Sequence, residues 1–204
     1  MSDRTLVAYA RDGGWDLHRA PRPPSVSAAR PFGGTAGPGL ARRVRRLLAD
    51  RGIDAVAGAL VDPPATVVDP RPVGRVRSGE FAAVARACRF DVYDRVYRVS
   101  EAFAVTRFLA LWLGPPGALP RDATGTDAAG DGALVAFAPD EEGEWTTYTR
   151  GWFEGVKTAA WDAVRGGRLD PSGARAYLRG RVREYAGDRE VYAPGRAGER
   201  DGSD

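Results

Sequence analysis

The 204-residue chain holds a single cysteine, Cys88, a single histidine, His18, a single lysine, Lys157, and no asparagine or glutamine. One cysteine excludes an intramolecular disulfide and any cysteine zinc cluster. His18 and Cys88 lie far apart in sequence and the acids follow no ligand spacing, so a metal centre fails on inventory. No phosphate loop, dinucleotide fingerprint or Gly-x-Ser-x-Gly pattern occurs, and no cofactor is expected. No apolar run reaches the roughly 18 to 20 residues that span a bilayer. Met1-Ser-Asp-Arg4 leads into strand-like sequence and not into the apolar core of a signal peptide. Together these absences predict a cytoplasmic protein with no membrane partner. Lysine, isoleucine and asparagine all use AT-rich codons, so their scarcity describes a GC-rich genome more than a function.

What is present is a 43% hydrophobic chain rich in alanine, glycine and arginine, long enough to bury a sizeable core. The formal charge of +3 is unevenly placed: residues 1 to 60 hold ten arginines against five acids, while residues 131 to 204 hold eleven basic against fourteen acidic side chains. The basic end is the N-terminal third.

The pattern over residues 131 to 185 organises the rest. Leu134, Val135 and Phe137 predict a strand, Asp140-Glu-Glu-Gly143 a turn, and Trp145 to Thr149 a second strand that completes a hairpin. From Arg150 the period changes to 3.6. Phe153, Val156, Ala160, Ala163 and Val164 then share one helical arc, with Lys157 inside it and Trp161 at its margin. Gly166-Gly167 ends that helix, and Asp170-Pro171 caps another. This second helix is expected to bury Ala174, Tyr177, Leu178, Val182 and Tyr185 and to present Arg175, Arg179 and Arg183.

Upstream, Thr5 to Arg19 reads as a hairpin turning at Asp12-Gly13. Leu40 to Arg51 reads as a basic amphipathic helix and Thr66 to Val68 as a short strand. Ser78 caps a helix whose apolar face is Phe81, Val84, Ala85 and Cys88. Arg95 to Val99 and Ala104 to Leu113 form another hairpin, the latter apolar on both faces as a central strand is. Proline- and glycine-rich loops are expected at 20–39, 61–78 and 114–132. The reading is a single α+β domain over residues 1–192 with a disordered tail over 193–204. It has an antiparallel sheet of five to seven strands built from hairpins, with about four helices mostly on one face.

Leu6-Val-Ala-Tyr9 with Asp16-Leu-His18, Pro31-Phe-Gly-Gly34, Val68-Asp-Pro70, Leu111-Trp-Leu-Gly114, Gly132-Ala-Leu-Val135 and Arg150-Gly-Trp-Phe-x-Gly-Val-Lys157 occur in this order along most of the chain. In this the chain resembles an uncharacterised family of small haloarchaeal proteins that carries only a domain-of-unknown-function label. The resemblance implies no activity.

Lys157 stands out because it occupies an apolar arc in a chain that otherwise writes every cation as arginine. With Arg150 at the expected start of the same helix and the free N–H groups there, it would form an anion-binding corner. The plainer reading lays its stem over Trp161 and pairs its charge with Glu154. Gly155 lies on the polar arc, where glycine costs about 1 kcal/mol against alanine, so something is expected to approach the backbone there. Asp16 and His18 share a strand face and are weak catalytic candidates, His18 as a base oriented by the carboxylate. Cys88 reads as core filling. Arg42, Arg43, Arg45 and Arg46 could lie on nucleic-acid phosphates, or simply form the solvated face of their helix. The leaning is a non-enzymatic binding protein for an anionic partner, nucleic acid first and an acidic protein second. The alternative is a small enzyme acting on an anionic metabolite.

Overall fold

The computed structural model describes residues 4–20, 72–102, 104–116 and 130–195. The basic helix expected at 40–51 with Arg42, Arg43, Arg45 and Arg46 and the strand at 66–68 lie outside the described residues, as do all of the loop at 20–39 but Ala20 and most of the 114–132 loop. Among the described residues, seven strands and three α-helices give an α+β character. Contacts divide it into two compact units, Met1–Phe81 with Arg95–Arg107 and Ala82–Asp94 with Phe108–Asp204.

In the first unit β1 (Thr5–Arg11) and β2 (Gly14–Ala20) form the expected antiparallel hairpin. Gly13 turns it at φ 68°, a conformation that favours glycine. β3 (Gly74–Val76) pairs antiparallel with β2, with Leu17 opposite Gly74 and Trp15 opposite Val76. The end of the segment expected to be a loop is therefore strand. Prolines discouraged that assignment, yet none falls among the paired residues. β4 (Arg95–Val99) runs parallel to β1, from Thr5 opposite Arg95 to Tyr9 opposite Val99. The sheet is therefore mixed and not purely antiparallel. With β2 on one edge of β1, its other edge is filled by a strand that returns in the same direction after a long excursion. β5 (Val105–Trp112) follows a tight connection in which the Ser100 N–H donates to the Ala104 carbonyl at 2.9 Å.

In the second unit α1 (Phe81–Ala87) buries Val84, Ala85 and the following Cys88, as its pattern predicts. Just ahead of it the Ser78 hydroxyl accepts from the Glu80 N–H at 3.3 Å. β6 (Gly132–Phe137) pairs antiparallel with β7 (Val191–Tyr192), Leu134 facing Tyr192 and Val135 facing Val191. The segment expected to be the partner of β6, Trp145 to Thr149, is instead helical, because α2 runs unbroken from Glu144 to Arg165. Its aromatic and β-branched residues favour strands only weakly, and packing overrides them. Thr146, Thr149, Phe153, Lys157, Ala160 and Trp161 repeat at helical spacing and are all buried.

α3 (Pro171–Ala186) starts as expected, with the Asp170 carboxylate accepting from the Gly173 N–H at 2.6 Å and Pro171 in the first turn. Its buried stripe is Ala174, Leu178, Val182 and Ala186. Two expectations are corrected here: Tyr177 is 50% exposed, and Arg179 is buried in place of facing solvent. The spacing of four residues that keeps Leu178 and Val182 inward also keeps Ala174 and Ala186 inward, which turns Tyr177 out. Both helices close on Leu109, Leu111, Leu113, Ala133, Val135 and Phe137 to make the core of this unit.

Candidate functional site

Strand alternation gives the first unit two unlike faces. One carries Leu6, Ala8, Trp15, Leu17 and Val96, all buried, with the Trp15 ring edge-on to Phe81 at 5.2 Å. This is an ordinary apolar face. The register places Thr5, Val7 and Tyr9 of β1 on the opposite face, with Ala20, His18 and Asp16 of β2 and Arg95, Tyr97 and Val99 of β4. Of its polar members, Thr5, His18, Arg95 and Tyr97 are buried, as are the apolar Val7, Ala20 and Val99. The next strand adds Arg107, whose guanidinium carbon lies over the Tyr97 ring, 5.9 Å from its centre. His18, Val7, Tyr97 and Arg107 thus form one row across β2, β1, β4 and β5.

Burying polar groups is costly without compensation, and two cations lie buried on this face, Arg95 at 7% and Arg107 at 6% exposure. Among the described residues the Nε of Arg107 and the hydroxyl of Thr5 have no hydrogen-bond partner. The carboxylate of the face is already engaged: Asp16 lies 3.5 Å from Arg11 and 3.6 Å from Arg75. It therefore pairs with rim cations, and among the described residues no ion pair meets Arg107. The Tyr9 ring stands perpendicular to His18 at 5.3 Å, and burial pushes the Tyr9 phenol up to about 12, so it stays a neutral donor near pH 7. The face offers a guanidinium, an imidazole and hydroxyls around an apolar centre, the inventory for holding an anion and moving a proton near it.

Asp16 and His18 share this face as their spacing predicts, but the carboxylate bonds to arginines while the imidazole meets an aromatic edge. Sequence reasoning passed over Arg95, Tyr97 and Arg107. The signal was available for Arg107, a cation at the alternation position shared with Leu109 and Leu111, the same anomaly that singled out Lys157.

Lys157 and Arg150 sit in the second unit, two turns apart on α2, about 10 Å along its axis. Lys157 is 4% exposed, as its place in the apolar arc predicts. Its Nζ donates to Glu154 at 2.6 Å and lies 5.6 Å from the centre of the Trp112 ring and 5.7 Å from that of Phe153. Those rings, and not Trp161, are the ones that meet its charge. Arg150 Nη2 donates to the Asp94 carbonyl at 3.1 Å. Because α2 begins at Glu144, Arg150 lies mid-helix and the free N–H groups of the terminus are well upstream of it. Gly155 is exposed, and no described atom comes within 4 Å of where its Cβ would stand, so no described segment approaches it. Cys88 is buried, and burial raises its thiol well above the ordinary range, which keeps it protonated.

Among the described residues no three His, Cys, Asp or Glu side chains stand together as a metal ion would need. No described helix is long and apolar enough to cross a membrane. Among known proteins, the family described as "Family of unknown function (DUF6735)" matches residues 1–192. No curated protein and no solved structure matches the chain.

Proposed function

Since the chain belongs to that family of unknown function, its role has to be read from its own residues, and we propose that it binds a small anionic molecule on the polar face of the first unit. One observation carries the reading: the Arg107 guanidinium is buried, and its Nε has no hydrogen-bond partner among the described residues. A buried charge is tolerated when something of opposite sign meets it. Burial also favours a small ligand over nucleic acid, because phosphates of a polymer backbone are met by exposed side chains. The nucleic-acid reading rests on Arg42, Arg43, Arg45 and Arg46, which the geometry does not describe.

A second reading, an enzyme acting on an anionic metabolite, is favoured by His18 standing in the same row as Arg107. There His18 would move the proton and Asp16, held by two arginines, would not.

Calorimetric titration of the whole chain with acetate, benzoate, sulfate and inorganic phosphate, beside gel shifts with single- and double-stranded nucleic acid, tests the proposal. Saturable binding of a small anion, weakened by Arg107→Met, supports it. A salt-dependent nucleic-acid shift with no small-anion binding overturns it.

A further inference from the structure

Resting on the anion reading above, we infer that the polar face of the first unit captures its ligand at its exposed margin. There Arg11 and Arg75 close on an oxyanion head group, and Asp16 is the internal competitor that the ligand displaces. Exposure on this face rises toward the β1–β2 turn. Along β1, Thr5 is 0% and Val7 3% exposed, Tyr9 is half-buried, and the Arg11 side chain reaches 32%. Along β2 the buried His18 gives way to the half-buried Asp16. The register sets Arg75 of β3 beside Asp16, with its side chain 54% exposed. A ligand therefore meets these two guanidinium groups from solvent, without a route into the buried part of the face.

Asp16 holds both arginines loosely. Its Oδ2 lies 3.5 Å from Arg11 Nε and its Oδ1 3.6 Å from Arg75 Nε, where a charge-assisted hydrogen bond closes to about 2.7–2.9 Å. Among the described residues Asp16 is the one ionic partner of each, so two positive charges meet one negative charge and the trio keeps a net positive charge. No hydrogen bond among the described residues uses either guanidinium fork. An oxyanion can accept N–H groups from both forks at once. Exposed ion pairs contribute little to folding, so parting Asp16 from the arginines disturbs the fold little. Carboxylate, sulfate and phosphate share this geometry, and the class of ligand is the oxyanion head group itself.

The test titrates the full chain at constant ionic strength with acetate, sulfate and inorganic phosphate, and repeats the titration on Asp16→Asn, Arg75→Gln and Arg107→Met. Asp16→Asn keeps the shape and removes the competing charge, so it is expected to bind at least about threefold tighter. That is a gain which misfolding does not produce. Arg75→Gln alters an exposed side chain and is expected to bind at least about threefold weaker. Affinity unchanged or lower in Asp16→Asn, or unchanged in a folded Arg75→Gln, overturns this inference; where Arg107→Met still weakens binding, the anion reading stands. No binding of any of the three probes overturns both.

Discussion

Arg189, in the turn after α3, grips Glu141 just ahead of α2 through Nη1 at 2.7 Å and Nη2 at 2.5 Å, while its guanidinium carbon sits 4.5 Å from the centre of the Trp145 ring. The Arg189 hydrogen bonds, first, and the Ala138 N–H, second, hold the Glu141 carboxyl down to about 2 from an ordinary 4.5. A carboxyl whose folded-state value is depressed stabilises the fold above its unfolded value and loses that contribution as pH falls toward the folded one. Both side chains remain partly exposed, so solvent limits the effect to about 1 kcal/mol. Glu141→Gln is expected to lower the melting temperature at pH 7 and to match the parent protein near pH 2. Thermal melts across that range check it, and a constant difference down to pH 2 would contradict the assignment.

Two glycines should answer oppositely to alanine. A Cβ at Gly132 would stand 2.0 Å from Phe90 Cγ, with the Phe90 ring itself buried. Gly132→Ala is expected to cost about 1–3 kcal/mol through overpacking. At Gly155 no described atom lies within 4 Å of a Cβ, and the position is inside α2. Gly155→Ala is expected to gain up to about 1 kcal/mol. Denaturant unfolding of both variants measures this, and a loss at Gly155 would mean that something outside the described residues packs there.

The Asp131–Arg175 pair joins β6 to α3 at 2.8 Å, both side chains largely withdrawn from water, and Arg175 also lies 5.3 Å from the centre of the Trp161 ring. Removing one partner of such a pair strands the other charge. Arg175→Met is expected to cost about 3 kcal/mol or more, and Asp131→Asn with Arg175→Met together less than the sum of the two alone. Additive losses in a double-mutant cycle would show that the two side chains are not coupled.

Lys157 acts through its stem and the rings around it more than through Glu154, whose side chain is 58% exposed. Lys157→Ala is expected to cost about 1–2 kcal/mol and Glu154→Ala under about 1 kcal/mol. Equal losses would shift the weight to the ion pair.

Periodicity read the elements whose local signals agree with their packing. The β1–β2 hairpin has its Asp-Gly turn, α1 its apolar stripe, and α3 its Asp170 cap followed by Pro171, and all three form where the pattern puts them. It failed where local preference and packing disagree. Trp145 to Thr149 favour an extended chain on their own and turn helical because Thr146 and Thr149 lie on the buried stripe of α2. The strand partner of β6 was hidden because β7 has only two paired residues, too few to show alternation. Nothing local in Thr5 to Arg11 says that it will lie parallel to Arg95 to Val99. For the same reason the candidate site was half visible: His18 and Asp16 were found by their type and spacing, while Arg107 joins them only through a register between distant strands.

That long-range parallel pairing has a consequence during synthesis. The β1–β2 hairpin can close once Ala20 has left the ribosome, but the strand that covers the far side of β1 begins at Arg95. At about 5–20 residues per second, the nascent chain carries an open, mostly apolar strand border for roughly 4 to 15 seconds. Over that interval the newborn polypeptide is most exposed to sticking to its neighbours, and there a chaperone would have the most to protect.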